Sequence, residues 1–192
     1  MKKCLAIFLL LLALLTASVC AQTQPDDSKN IGSGIIYGRY HSYMLTAPKG
    51  WVMDNQSGVS QELYAVFYPK GSSWAKGSVV MYTNVLAKTN EEQSLQGVIS
   101  EDIQRFKQTS PDLKVGEGGT LPLKHEKSAV VKTFSNDAYG SYESVAYINE
   151  SKVVVIVVLT ARSKKDHDAS LPAFRELVAS YFFITDNVTI EK

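Results

Sequence analysis

The chain has 192 residues, with 20 lysines and arginines against 19 aspartates and glutamates and a formal net charge of +1. No basic or acidic block interrupts that balance, which argues against nucleic acid or an anionic bilayer surface as a partner. At 45% hydrophobic and 20% charged, the composition is that of a folded globular domain, and the length fits one such domain.

The N-terminus reads MKKCLAIFLLLLALLTASVCA. Lys2 and Lys3 form a positive start, Leu5 to Leu15 an apolar core, and small residues precede polar Gln22. That is the layout of a secretory signal peptide. The apolar run is shorter than the roughly 20 residues that cross a bilayer. Val19 and Ala21 suit cleavage after Ala21, which would release the domain into the periplasm or the medium. The rival is a lipoprotein signal that retains Cys20 as a lipidated first residue. It wants Gly, Ala or Ser where Val19 stands. Cleavage after Ala21 removes Cys4 and Cys20, the 2 cysteines of the chain, and with them disulfides, thiol nucleophiles and thiolate metal sites. The expected division is a signal peptide over 1–21, a flexible leader over 22–34, one domain over 35–185 and a polar tail over 186–192.

In chain order, IIYGRYHSYMLTAP from Ile35 reads as one extended strand, stopped by the turn residues of APKGW at Ala47 to Trp51. QELYAVFYP reads as a second strand and SVVMYTNVLA as a third, so Glu62 to Ala87 resembles a long hairpin around the loop KGSSWAKG. Leu95, Val98, Ile99, Ile103 and Phe106 recur at helical spacing, with Thr89 and Glu92 as a capping pair and Pro111 as a stop. Gly97 inside that helix predicts close packing on a sheet. LKVGEGGTLPL reads as a short strand with a glycine-rich turn, and SAVVKTFS and YESVAYI as alternating strands. NESK at Asn149 to Lys152 makes a hairpin turn into VVVIVVLTA, which is apolar on both faces and belongs at the centre of a sheet. A second helix is expected from Leu171, Phe174, Leu177, Val178 and Tyr181, with Ser170 as its N-cap and Pro172 in its first turn.

Two helices set apart from runs of strands indicate an α+β fold, a largely antiparallel sheet with two main helices packed on it. This order, together with Pro48, Gly50 and Trp51, resembles the PsbP-like α/β/α sandwich. That family includes photosystem II extrinsic proteins, Mog-type Ran-binding proteins and exported bacterial proteins. The resemblance spans about Tyr37 to Ile184 and implies a binding or assembly protein, with no catalytic residue to carry over. Lipocalin-like barrels and other α+β sheets stay open at this point.

The chemistry-bearing residues are scattered. His41, His125 and His167 show no spacing that repeats a ligand type. Asp166, His167 and Asp168 are neighbours whose side chains diverge, so the sequence reads as a solvated charge cluster before the last helix. No Gly-x-Ser-x-Gly elbow and no Walker sequence occurs, and GEGGTL lacks the final glycine of a dinucleotide fingerprint. No catalytic residue, metal ligand or cofactor site is therefore assigned. Asn149-Glu150-Ser151 and Asn187-Val188-Thr189 match the glycosylation sequon, and with a bacterial-type signal they read as chance matches.

Trp74, in a loop flanked by Lys70 and Lys76, is the one candidate contact site: a tryptophan on a loop tip serves a partner. Its alternative is to fold back and cap the sheet. The expectation is an exported, non-catalytic binding or assembly protein of the cell envelope with a protein partner. The alternatives are a small-ligand carrier with a pocket between sheet and helix, or a hydrolase with dispersed residues.

Overall fold

A computed structural model describes residues 32–188. The expected signal peptide, with Cys4 and Cys20, lies outside the described residues, as do most of the leader and the end of the tail. In chain order the elements are β1 (Ser33–Gly38), β2 (His41–Thr46), β3 (Trp51–Asp54), β4 (Ala65–Pro69), β5 (Val79–Ala87), α1 (Leu95–Thr109), β6 (Lys114–Pro122), β7 (Ser128–Ser135), β8 (Tyr142–Asn149), β9 (Val153–Ala161), α2 (Lys164–Ala179) and β10 (Phe182–Thr185). The strands form a seven-stranded sheet, in the order β3-β4-β5-β9-β8-β7-β6, and a three-stranded sheet, β1-β2-β10. Every pairing is antiparallel.

β9 organises the molecule. Val153, Val155, Val157 and Leu159 pack with Phe174, Leu177 and Val178 of α2, while Val154, Ile156 and Val158 pack with Val98 and Ile99 of α1. A strand buried on both faces must lie inside its sheet, and β9 is the fourth of seven. Each of these side chains stabilises the fold by about 1.5–3 kcal/mol. The small sheet shares the α2 side, where Ile36, Tyr43 and Leu45 meet Met53, Phe67 and Met81. On the opposite side α1 covers only part of the sheet. Val52, Val66, Tyr68 and Val80 are covered instead by Leu63 and Trp74 from two loops.

The structure corrects several local readings. The stretch from Ile35 is a hairpin, not one strand: β1 and β2 pair with Gly38 opposite His41, and Tyr40 takes the left-handed turn position at φ 70°. Trp51 opens a strand of its own. α1 is capped by Ser94, whose Oγ accepts from the Gly97 amide at 3.1 Å, and not by Thr89. Gly97 sits in the first turn and packs on no sheet residue; a Cβ there would meet only Ser94 Oγ and Gln93 Cγ.

α2 begins seven residues earlier than expected. Ser163 Oγ accepts from the Asp166 amide at 3.1 Å, so Ser170 is an interior residue and Pro172 stands mid-helix. A mid-helix proline costs about 3 kcal/mol, which burial of Phe174, Leu177 and Val178 offsets. GEGG is a bulge within β6, not a turn: the register shifts between Glu117 and Gly119, and a Cβ on Gly118 would strike Val131 Cγ1 at 2.5 Å. Tyr181 follows α2, and the chain then forms β10. No helix among the described residues is long and apolar enough to cross a membrane.

Candidate functional site

The loops opposite α2 are held by buried polar anchors. Asp54, at the end of β3, accepts from the Gln56 and Ser57 amides at 2.8 and 2.9 Å, from Ser57 Oγ at 2.6 Å and from the Tyr68 hydroxyl at 3.0 Å. Burial opposes its charge, but these hydrogen bonds hold the carboxyl below its usual range. The loop after Asp54 runs over a 3-10 turn at Val59–Gln61 and brings Gln61 and Leu63 beside β5. The loop after β4 turns at Gly71, with φ +84°, and closes with the Gly77 amide donating to the Ser73 carbonyl at 2.9 Å. It delivers Trp74 edge-on to Tyr82, 6.1 Å between ring centroids.

Between the two loops and the exposed end of the sheet lies an open groove of about 380 Å³, lined among others by Gln61, Leu63, Trp74, Tyr82, Thr160 and Arg162. Trp74 is half-buried: one edge rests on the sheet and the rest borders the groove. Lys70 and Lys76 are exposed on the same loop, outside the groove lining. Trp74 thus folds back onto the sheet, as the alternative reading had it, and also lines a concave surface. Tyr82, Thr160 and Arg162 come from β5 and the end of β9, and sequence spacing gave no sign that they converge.

Beside the groove floor Glu143 of β8 lies opposite Thr160 of β9. Burial pushes the Glu143 carboxyl up to about 7, with Asp137 and Asp102 adding to the rise and the Thr160 hydroxyl opposing it. Asp102 of α1 is itself raised by burial, while the Tyr147 hydroxyl, at 2.8 Å, and Arg105 act against that rise. These acids sit under α1 with tyrosines around them. Among the described residues their partners are the Tyr147 hydroxyl and the Arg105 guanidinium on Asp102 and the Thr160 hydroxyl beside Glu143.

A second arrangement has the outline of a catalytic relay. Ser144 Oγ is 2.9 Å from His167 Nε2, and His167 Nδ1 is 3.2 Å from Asp168 Oδ1. The sequence reading of a solvated cluster is corrected here: His167 is buried in the first turn of α2. The triad reading fails on access. Ser144 is 1% exposed at the centre of β8, under the helix, and Asp168 pairs with Lys164. The hydrogen bonds fasten α2 to the sheet. His167, Leu171, Phe174 and Val178 share one helical face, a signal that could have extended the helix in the sequence. The other histidines are apart, His41 in the core beside Tyr64 and His125 against Phe182. Among the described residues no three or more His, Cys, Asp or Glu gather to hold an ion.

No known protein family and no curated protein sequence matches the chain. Among solved structures it is similar to the cyanobacterial PsbP of Synechocystis sp. PCC 6803, at 9% identity and a TM-score of 0.50, covering 88% of this chain and 99% of that one. The fold is PsbP-like. At 9% identity the likeness concerns the fold alone. Two weaker similarities are to a mutant of the protein Mog1, at 10% identity, 81% of this chain, 97% of the other and a TM-score of 0.47, and to a protein of Bacteroides thetaiotaomicron VPI-5482, at 9% identity, 81% of this chain, 49% of the other and 0.45. The PsbP-like α+β arrangement expected from element order, with two helices on a largely antiparallel sheet, is the one observed.

Proposed function

We propose that this chain is an exported, non-catalytic binding or assembly protein of the cell envelope, and that it contacts a protein partner through the Trp74 loop and the groove it borders. The observation that carries this reading is Trp74 itself: a rigid aromatic placed at the rim of a concave surface, with Lys70 and Lys76 exposed around it. Interface energy concentrates on such aromatic anchors. The non-catalytic part is supported by the burial of Ser144, 1% exposed beneath α2. Trp74→Ala, checked for an unchanged circular dichroism spectrum, should lose the envelope protein that the native chain retains on a resin. Equal retention, or a collapsed fold, overturns the assignment.

The small-ligand carrier with a pocket between sheet and helix is the second reading, because an open groove of about 510 Å³ lies between β5 and α1, within the range of ligand pockets, about 300–1,000 Å³. Thermal-shift screening with lipids and sugars separates the two readings, since a carrier gains stability from its ligand.

A further inference from the structure

Among the described residues β1 is the outer strand of the small sheet, with β2 on one side only. Its residues, Ser-Gly-Ile-Ile-Tyr-Gly, carry no charge and no proline, and they pair with β2 without a register shift. The other sheet edges are each blunted. β6 carries Lys114 and Glu117 and the bulge at Gly118. β10 has four residues and a register shift between Phe183 and Thr185. β3 has four residues, three of them buried. Charges, bulges and short length are the devices that keep edges from pairing with other chains. β1 has none of them. Among the described residues, no backbone hydrogen bond outside the strand ladders uses a β1 group.

The side chains point the same way. Ile36 faces the core, while Ile35 and Tyr37 are 61% and 62% exposed. Their face continues across the sheet through Met44, which pairs with both Ile35 and Phe182. Apolar side chains exposed together beside an open edge mark an interaction surface.

We propose that β1 pairs edge to edge with β1 of a second copy of this chain, antiparallel about a twofold axis at Ile36. The strand is self-complementary by residue class: Gly34-Ile35-Ile36-Tyr37-Gly38 reads glycine, apolar, isoleucine, apolar, glycine in both directions. In this register Ile36 faces its symmetry mate, Gly34 faces Gly38 of the second copy, and Ile35 faces the second copy's Tyr37. Aromatic and β-branched side chains are favourable cross-strand neighbours. The absence of charge removes the like-charge repulsion that opposes self-pairing. The two small sheets join into one six-stranded sheet in the order β10-β2-β1-β1-β2-β10, and the contact closes on itself.

The chain's own leader is a poor occupant, because Gln22 to Ile31 offers one apolar residue and includes Pro25, Asp26 and Asp27. A contact built around one strand pair lies at the low end of stable interfaces, which bury about 1,200–2,000 Å². The dimer is therefore concentration-dependent.

Sedimentation velocity of the full exported chain, from low micromolar to several hundred micromolar, tests the pairing. The native chain should rise from monomer toward dimer. The variant I35K/Y37K places like charges opposite each other and should stay monomeric throughout, with its thermal midpoint near that of the native chain because both side chains are exposed. The variant I35K/Y37E places opposite charges across from each other in this register and should associate again. A native chain that is monomeric at every concentration overturns the proposal. So does an I35K/Y37K variant that associates like the native chain, or an I35K/Y37E variant that does not recover.

Discussion

Ser144 Oγ and His167 Nε2 stand 2.9 Å apart, fastening the first turn of α2 to the middle of β8. Removing the hydroxyl leaves a buried ring nitrogen without its partner, which costs about 1–3 kcal/mol. Ser144→Ala should lower stability by that amount in urea unfolding. A fluorophosphonate reagent should label neither form. Stoichiometric labelling at Ser144 would mean that the serine is reachable and activated, against the structural role assigned to it.

His41 gives the fold a sensitivity to acid. Its Nδ1 donates to the Arg39 carbonyl at 3.2 Å, and its buried Nε2 has no partner among the described residues. Burial holds its pKa below the ordinary 6.5, against the Arg39 bond, which acts upward. The folded chain then binds fewer protons than the unfolded chain. Stability is full above pH 6.5 and falls as the pH drops toward the folded pKa. His41→Leu should weaken the fold at neutral pH through lost packing, yet flatten the decline between about pH 7 and pH 5. Thermal midpoints across that range check the slope, and an unchanged slope contradicts the assignment.

Glu143 acts with the opposite sign. Its carboxyl rises from 4.5 to about 7, so the folded chain holds a proton that the unfolded chain releases. The resulting stabilisation is full below pH 4.5 and is lost as the pH rises through about 7. Glu143→Gln keeps the length and shape of the side chain but cannot ionise. It should be more stable than the native chain by on the order of 2 kcal/mol at about pH 8, and alike at about pH 4. Chemical denaturation at the two pH values decides the matter.

Gly97 distinguishes two accounts of α1. Packed against a sheet, it would not tolerate a methyl group. In the first turn, where a Cβ meets only Ser94 Oγ at 3.4 Å and Gln93 Cγ at 3.7 Å, Gly97→Ala should stabilise by about 0.5–1 kcal/mol. Ser94→Ala should cost about 1 kcal/mol through loss of the cap. A destabilised Gly97→Ala would contradict the observed cap.

What the sequence disclosed depended on whether a signal was local. The run Val153 to Leu159 is apolar at every position, which only a central strand explains, and β9 is central. The turn at Pro48 and Gly50 was legible for the same reason: the Trp51 amide closes on the Pro48 carbonyl at 2.9 Å, and Gly50 takes φ +82°. The Arg39–Tyr40 turn was hidden because neither residue is a usual turn former, and the left-handed Tyr40 is held by the pairing on either side of it. Pro172 misled the reading of α2, since proline marks a first turn unless tertiary packing outweighs its cost. The groove was the least legible feature. Trp74 stood out as a loop aromatic, but Tyr82, Thr160 and Arg162 meet it only through the pairing of β5 with β9.

The proposal that the Trp74 rim is the contact surface is tested most directly by site-specific photo-crosslinking in intact cells. A benzophenone amino acid would replace Trp74 in one variant and Lys124, an exposed residue in the turn after β6, in another. The account predicts a discrete adduct with an envelope protein from position 74 and none from position 124. No adduct at position 74, or the same adduct from both positions, would contradict it.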